Sequence, residues 1–290
     1  GAEAEVVYER YCPVTFNPAA ETMTLLPPDA AVERKELDNT QQLIESMRRW
    51  HDDTHPGAFR VCHLQPCAVA AAIGLDALTT DAALLTRVDR KSVVPMDATA
   101  SLLEDLQRST DAPAALEIAG ERELAYRSVY FDTPDLLSYR LAAHGRRRRF
   151  KLRTRTYVDT GAAYLELKTR GARGLTRKDR DAYDLDAADR LTDEARDDVA
   201  EALDAIGVEP TRADDLDARL QTLYRRTTLL LPGTVPSRAT IDLDLRWVDA
   251  DGGGFTLPRF AIVETKSPGQ AGAFDRALWR AGHRPQRISK

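Results

Sequence analysis

Lysine is scarce in this chain. Only 7 of its 41 basic residues are Lys, at positions 35, 91, 151, 168, 178, 266 and 290, so each Lys stands out against an arginine background. Cysteine is scarcer: the 3 Cys all fall within the first 67 residues, too few for a disulfide framework. Cys12, Cys62 and Cys67 with His63 do not reach the four close-spaced ligands that a structural zinc wants, and free thiols are the simpler expectation. No apolar run approaches the roughly 18 residues needed to cross a membrane. Gly1 to Val7 lacks the basic-then-apolar order of a secretory signal. These absences lead to the expectation of a soluble, cytoplasmic protein, and a hydrophobic content of 43% supplies a core.

The net charge of -5 argues at first against an anionic partner. It is an average over opposed segments. From Arg140 to Arg180 there are 14 basic and 3 acidic residues; from Asp184 to Asp217 there are 13 acidic and 3 basic. The basic segment is a candidate anion-binding region and the acidic one a solvated surface.

Residues 1–67 read as an irregular extension, broken by Pro13, Pro18, Pro27 and Pro28, with a helix expected over Asp29 to Trp50. Residues 68–290 read as one domain. Strands are expected at Leu84–Val94, Arg127–Phe131, Phe150–Tyr157, Ala163–Thr169, Lys178–Leu185, Leu223–Leu231, Arg238–Trp247 and Arg259–Thr265. Helices are expected from Asp97 to Arg108, after Asp132-Thr133-Pro134, over Ala187–Ile206 and over Ala271–Ala281, the last two ending at Gly207 and Gly282. Eight strands with few helices between them predict an α+β protein, its sheet antiparallel or closed into a barrel.

Side chains alternate between the two faces of a strand. One face of 149–157 holds Arg149, Lys151, Arg153, Arg155 and Tyr157; one face of 164–170 holds Tyr164, Glu166, Lys168 and Arg170. Arg238, Thr240, Asp242 and Asp244 share a face, as do Glu264 and Lys266, and Tyr224 and Arg226. A single charged face is most simply solvent-facing. Five with the same pattern suggest a barrel turned outside in, with apolar faces against helices and charged faces around a wet tunnel. Crowded like charges repel unless an anion lies between them.

Seven short pieces carry a family likeness: Arg87-Val88-Asp89-Arg90-Lys91, Tyr130-Phe131-Asp132-Thr133, Lys151-Leu152-Arg153-Thr154-Arg155, Glu166-Leu167-Lys168, Tyr224-Arg225-Arg226-Thr227, Val263-Glu264-Thr265-Lys266 and Ile288-Ser289-Lys290. In this order the chain from about Leu84 resembles the VTC domain, the polyphosphate polymerase domain of the vacuolar transporter chaperone family, a triphosphate tunnel metalloenzyme. The resemblance implies an antiparallel β-barrel tunnel with flanking helices, binding ATP and polyphosphate or pyrophosphate with Mn2+ or Mg2+. It implies catalytic roles for Arg153, Arg155, Lys266 and Arg226. It implies phosphate contacts from Lys91, Lys168, Lys178, Arg180, Tyr224, Arg238, Arg287, Ser289 and Lys290, and metal binding by Glu264 and Glu166. Ser92 departs from the aromatic that often follows the first-strand Lys, and the first 67 residues match nothing in the family.

ATP-dependent transfer of a γ-phosphate to a growing polyphosphate is the leading expectation. The alternatives are metal-dependent hydrolysis of a triphosphate and a non-catalytic polyanion-binding module. Hydrolytic relatives carry Glu-x-Glu-x-Lys on the first strand, where this chain has Arg87, Asp89 and Lys91. Nucleic acid is not the expected partner, because the basic strands show few aromatics for base stacking.

Overall fold

The computed structural model describes residues 70–81, 87–109, 111–171, 175–233, 236–286 and 288, with the backbone of three strands in the first 25 residues. Those strands, β1 (Ala4–Tyr8), β2 (Cys12–Asn17) and β3 (Thr22–Leu25), form an antiparallel sheet in chain order. Within the segment read as an extension, these strands are regular structure that its irregular composition did not predict. Pro13 is tolerated because it lies near the start of β2, where a missing N–H costs the ladder least. The helix expected at 29–50 lies outside the described residues.

The main sheet has eleven strands. In chain order its elements are β4 (Ala71–Ile73), α1 (Leu75–Asp81), β5 (Val88–Pro95), α2 (Met96–Gln107), β6 (Ala114–Leu116), β7 (Leu124–Asp132), α3 (Leu137–Ala143), β8 (Arg149–Tyr157) and β9 (Ala162–Arg170). Then follow β10 (Thr176–Tyr183), α4 (Asp193–Ala205), β11 (Asp217–Leu231), β12 (Ser237–Asp249), β13 (Gly254–Leu257), β14 (Phe260–Ser267) and α5 (Ala273–Arg280). Eight strands pair in the order β10-β9-β8-β7-β11-β12-β14-β5, every neighbour antiparallel. These are the eight strands the alternation predicts; β4, β6 and β13, each of 3 or 4 residues, are too short to leave a pattern. Among the described residues no helix is long and apolar enough to cross a membrane.

The α+β, antiparallel expectation is met, but the sheet is not a closed barrel. Among the described residues no ladder joins β10 to β5. The sequence of β10 gives the reason: Arg177, Asp179 and Asp181 charge one face and Lys178 and Arg180 the other, and most of the strand is exposed. Charge on both faces is how a sheet keeps an edge open. At the opposite edge the C-terminal segment docks on β5, with Gln286 N donating to Lys91 O at 2.6 Å.

Helices cover one face. Val129, Phe131, Phe150, Leu152, Leu165 and Leu167 pack against Ala195, Val199 and Leu203 of α4. That helix starts where Thr192 Oγ1 accepts from Ala195 N at 3.2 Å, and its i, i+4, i+8 stripe faces the sheet. Burial of Val199 and Leu203 contributes about 1.5–3 kcal/mol each. On the other half, Leu102, Leu103 and Leu106 of α2 and Phe274, Ala277 and Leu278 of α5 cover Ile241, Leu243, Ala261 and Val263.

The opposite face is charged, but only in part. On β14, Phe260 and Ile262 share the parity of Glu264 and Lys266 and are buried. On β12 the alternation fails at Asp244, whose positive φ of 51° accompanies a register shift against β11. One extra residue swaps the faces beyond it. Asp244 is exposed instead of sharing the face of Asp242, and Leu245 and Trp247 join Tyr126, Tyr224, Phe260 and Ile262 in an apolar cluster on the charged side.

Candidate active site

The site grows from strand register. β8 and β9 place Arg153 opposite Glu166, and β9 and β10 place Glu166 opposite Arg180. Glu166 is 3% exposed and accepts from Arg153 Nε and Nη2 at 2.8 and 2.6 Å. Arg155 Nη2 lies 3.4 Å from the same oxygen, while Lys178 Nζ and Arg180 Nε lie 3.3 and 3.9 Å from the other. Burial alone would raise the pKa of this carboxyl, but the charges of Arg153 and Lys178 prevail and hold it below the ordinary carboxylate range. Arg153 also donates to Tyr130 Oη at 2.8 Å. Burial opposes its charge, yet Tyr130 and Glu166 hold the guanidinium firmly protonated.

On β11 and β12 a second pair repeats the arrangement. Arg226 makes a two-pronged contact with fully buried Asp242, at 2.6 and 2.9 Å. Its guanidinium packs on the rings of Tyr126 and Tyr224, at 5.0 and 5.1 Å from their centres. Those two rings stack on each other at 5.3 Å, and burial pushes the Tyr126 hydroxyl pKa upward. Further round, Lys266 Nζ lies 3.5 Å from Glu264 Oε1, and burial lowers its pKa despite that carboxylate. Register sets Lys91 opposite Glu264 and Asp89 opposite Lys266.

Between the two arginine pairs lies a row of unmet donors. Ser128 stands opposite both Arg155 on β8 and Thr222 on β11. Arg155 Nε, Ser128 Oγ and Thr222 Oγ1 are all buried, and none has a hydrogen-bond partner. Leaving such groups unpaired costs about 1–3 kcal/mol each. Three side by side on adjacent strands make a cradle for an anion with several oxygens, flanked by Arg153 and Arg226.

The fold thus gathers Arg153, Arg155, Lys178, Arg180, Tyr224, Arg226, Lys266 and Glu264 on one face with Glu166. Lys91 donates to Ile288 O at 3.0 Å, which ties the first strand to the C-terminal segment. Arg238 Nη2 donates to Leu78 O at 3.4 Å, and burial lowers its pKa. Lys168 is exposed, opposite Lys151 and Lys178. Arg287, Ser289 and Lys290 lie outside the described residues. Ser128, Thr222, Tyr126 and Asp242 were not among the sequence candidates; carrying the alternation one residue further back on β7 would have exposed Tyr126 and Ser128.

The two carboxylates expected to bind metal differ. Glu166 fits poorly: four cations lie within 4 Å of its two oxygens, so a further cation there meets strong repulsion. Glu264, its side chain 12% exposed, lies beside Lys266, and it fits a divalent ion held by one carboxylate, waters and phosphate oxygens. Among the described residues no group of three or more acidic, His or Cys side chains could hold a metal by itself.

A sheet face that carries paired arginines, a partly buried carboxylate and an unmet donor row has the chemistry to receive an anion with several oxygens. Residues 86–290 match the VTC domain model, and the chain belongs to the VTC domain family. No curated protein sequence matches it. Among solved structures, an adenylate cyclase candidate from Vibrio parahaemolyticus is 13% identical, covers 70% of this chain and 94% of its own, and has a TM-score of 0.38. The adenylyl cyclase candidate HpAC1 from Hippeastrum, described with a dominant triphosphatase activity, is 14% identical over 71% of this chain and 93% of its own, with a TM-score of 0.41.

Proposed function

We propose that the chain, through residues 68–290, is an ATP-dependent polyphosphate polymerase that transfers the γ-phosphoryl group of ATP to the end of a polyphosphate or pyrophosphate chain. The observation that carries this reading is the donor row of Arg155, Ser128 and Thr222 between two arginines already fixed by buried acids. A phosphoryl group seated there receives donors that are oriented before it arrives. Such preorganised donors do most of the work in phosphoryl transfer.

The terminal oxygen of the acceptor chain attacks the γ-phosphorus in line, a new P–O bond forms, and the bond to the β-phosphate oxygen breaks to release ADP. Arg153 and Arg226 hold the γ- and β-phosphoryl oxygens, Arg155 with the two hydroxyls covers the transferring group, and Lys266 offsets charge on the leaving side. Glu264 would hold Mn2+ or Mg2+, which supplies further charge neutralisation at the phosphates when bound. A phosphate nucleophile needs no general base, whereas water gains from one. Glu166 and Asp242, the most buried acids of the face, are locked in ion pairs and offer no such base. That favours transfer over hydrolysis.

Arg153→Ala and Lys266→Ala are expected to abolish polymer formation from ATP while the purified variants keep a cooperative unfolding transition. Normal polymer yield from either would sink the assignment.

A further inference from the structure

Beyond Glu166 the charged face changes character. Register places Arg149 opposite Arg170, Lys151 opposite Lys168, and Lys168 opposite Lys178. Like charges directly opposed destabilise a sheet, so this stretch favours a counter-charge; Lys178 has one in Glu166. The turn before β8 adds Arg146 and Arg147, both exposed. Arg149 Nη1 donates to Arg146 O at 2.6 Å, joining strand and turn into one surface. Among the described residues no carboxylate lies within ion-pairing distance of Arg146, Arg147, Arg149, Lys168 or Arg170. Arg170 Nε is buried and has no acceptor. Arg148 is set apart from this group: it donates to Gly207 O at 3.5 Å, just past the C-terminus of α4, where a cation is favoured.

We propose that Arg146, Arg147, Arg149 and Arg170, continuing from Lys168, form a second polyanion subsite that holds the distal part of a linear polyphosphate whose end lies at the donor row. The assignment rests on the polymerase reading above. The Lys151–Lys168–Lys178 row is the next row along the face after Arg153–Glu166–Arg180, so a chain charged at every unit passes from one to the other without leaving cations. The surface suits polyphosphate better than nucleic acid. Its nearby rings are already covered, Tyr130 by Lys151 at 4.8 Å and Tyr164 by Arg180 at 3.8 Å, and among the described residues the exposed large apolar side chains include no aromatic on which bases would stack.

Binding of the full chain to inorganic tripolyphosphate and to a long linear polyphosphate tests this directly. Arg146→Glu with Arg147→Glu changes two exposed side chains and is expected to leave the fold intact; Arg149→Gln with Arg170→Gln is the second, independent variant. Each should weaken binding of the long chain about tenfold or more, with tripolyphosphate affinity unchanged, and the loss should shrink as salt screens the charges. Equal affinity of wild type and both variants for the long chain would overturn the subsite. Competition by a single-stranded oligonucleotide as effective as polyphosphate of equal charge would overturn its assignment to polyphosphate. Failure of the wild type to bind tripolyphosphate, with the long chain still held through Arg146 and Arg147, would sink the polymerase reading and leave the subsite standing.

Discussion

Two stretches of one charged face use the same kind of cation in opposite ways. Around the donor row each principal arginine has a buried acid: Arg153 has Glu166 and Arg226 has Asp242. Along Arg149, Arg170 and Lys168 there is none among the described residues. The acids cost affinity for an anion, since they offset positive charge, and their use lies in fixing geometry before substrate arrives. Transfer of a phosphoryl group needs that geometry; retention of a flexible polymer needs charge alone. The difference predicts that changes in the first stretch damage the fold or the chemistry, and changes in the second damage only affinity.

The largest effect should come from Asp242→Asn, which leaves Arg226 buried without its partner. The expected loss is about 3–5 kcal/mol, read as a lower midpoint in chemical denaturation. Glu166→Gln should follow at about 1–3 kcal/mol, because its cations keep partial access to water. Its pH dependence sharpens the comparison. The folded pKa of Glu166 lies below its unfolded value, so its stabilisation is present above the unfolded pKa of about 4.3 and disappears as pH falls through the lower, folded value. Acid unfolding of the wild type should be steeper than that of Glu166→Gln. Equal acid limbs would deny the carboxylate its structural role.

Ser128→Ala with Thr222→Val should leave stability unchanged or raise it by about 1 kcal/mol or more, since it removes unpartnered buried hydroxyls, yet weaken tripolyphosphate binding about tenfold by calorimetry. Unchanged binding would break the reading of the donor row. Smallest of all, Arg147→Gln should leave stability within about 0.5 kcal/mol of wild type.

Much of this was legible from alternation. The run from Arg149 to Tyr157 declares its two faces because it lacks Gly, Pro and bulges, and the β8–β9 turn at Asp159-Thr160-Gly161 keeps the register short-range. Alternation puts Asp242 on the charged face, but only the register of β11 with β12 makes Arg226 its partner. The bulge at Asp244 was silent: an ordinary Asp there takes a positive φ that only the paired strand imposes. Glu166 misled for a related reason. Beside Lys168 in sequence it reads as a metal ligand, and only the register that surrounds it with Arg153 and Arg180 makes it a counter-ion. Closure of the barrel failed on β10, whose two charged faces were visible in the sequence and point to an edge.

Transfer to phosphate through the donor row makes polymer and ADP together and spares water. The most direct measurement is incubation of the full chain with ATP and Mn2+, with polyphosphate, ADP and free phosphate quantified together, beside Arg155→Ala. Polymer and ADP accumulating in step, with little free phosphate and a loss of about a hundredfold or more in the variant, is the predicted result. Free phosphate without polymer, or an Arg155→Ala variant as active as wild type, would contradict it.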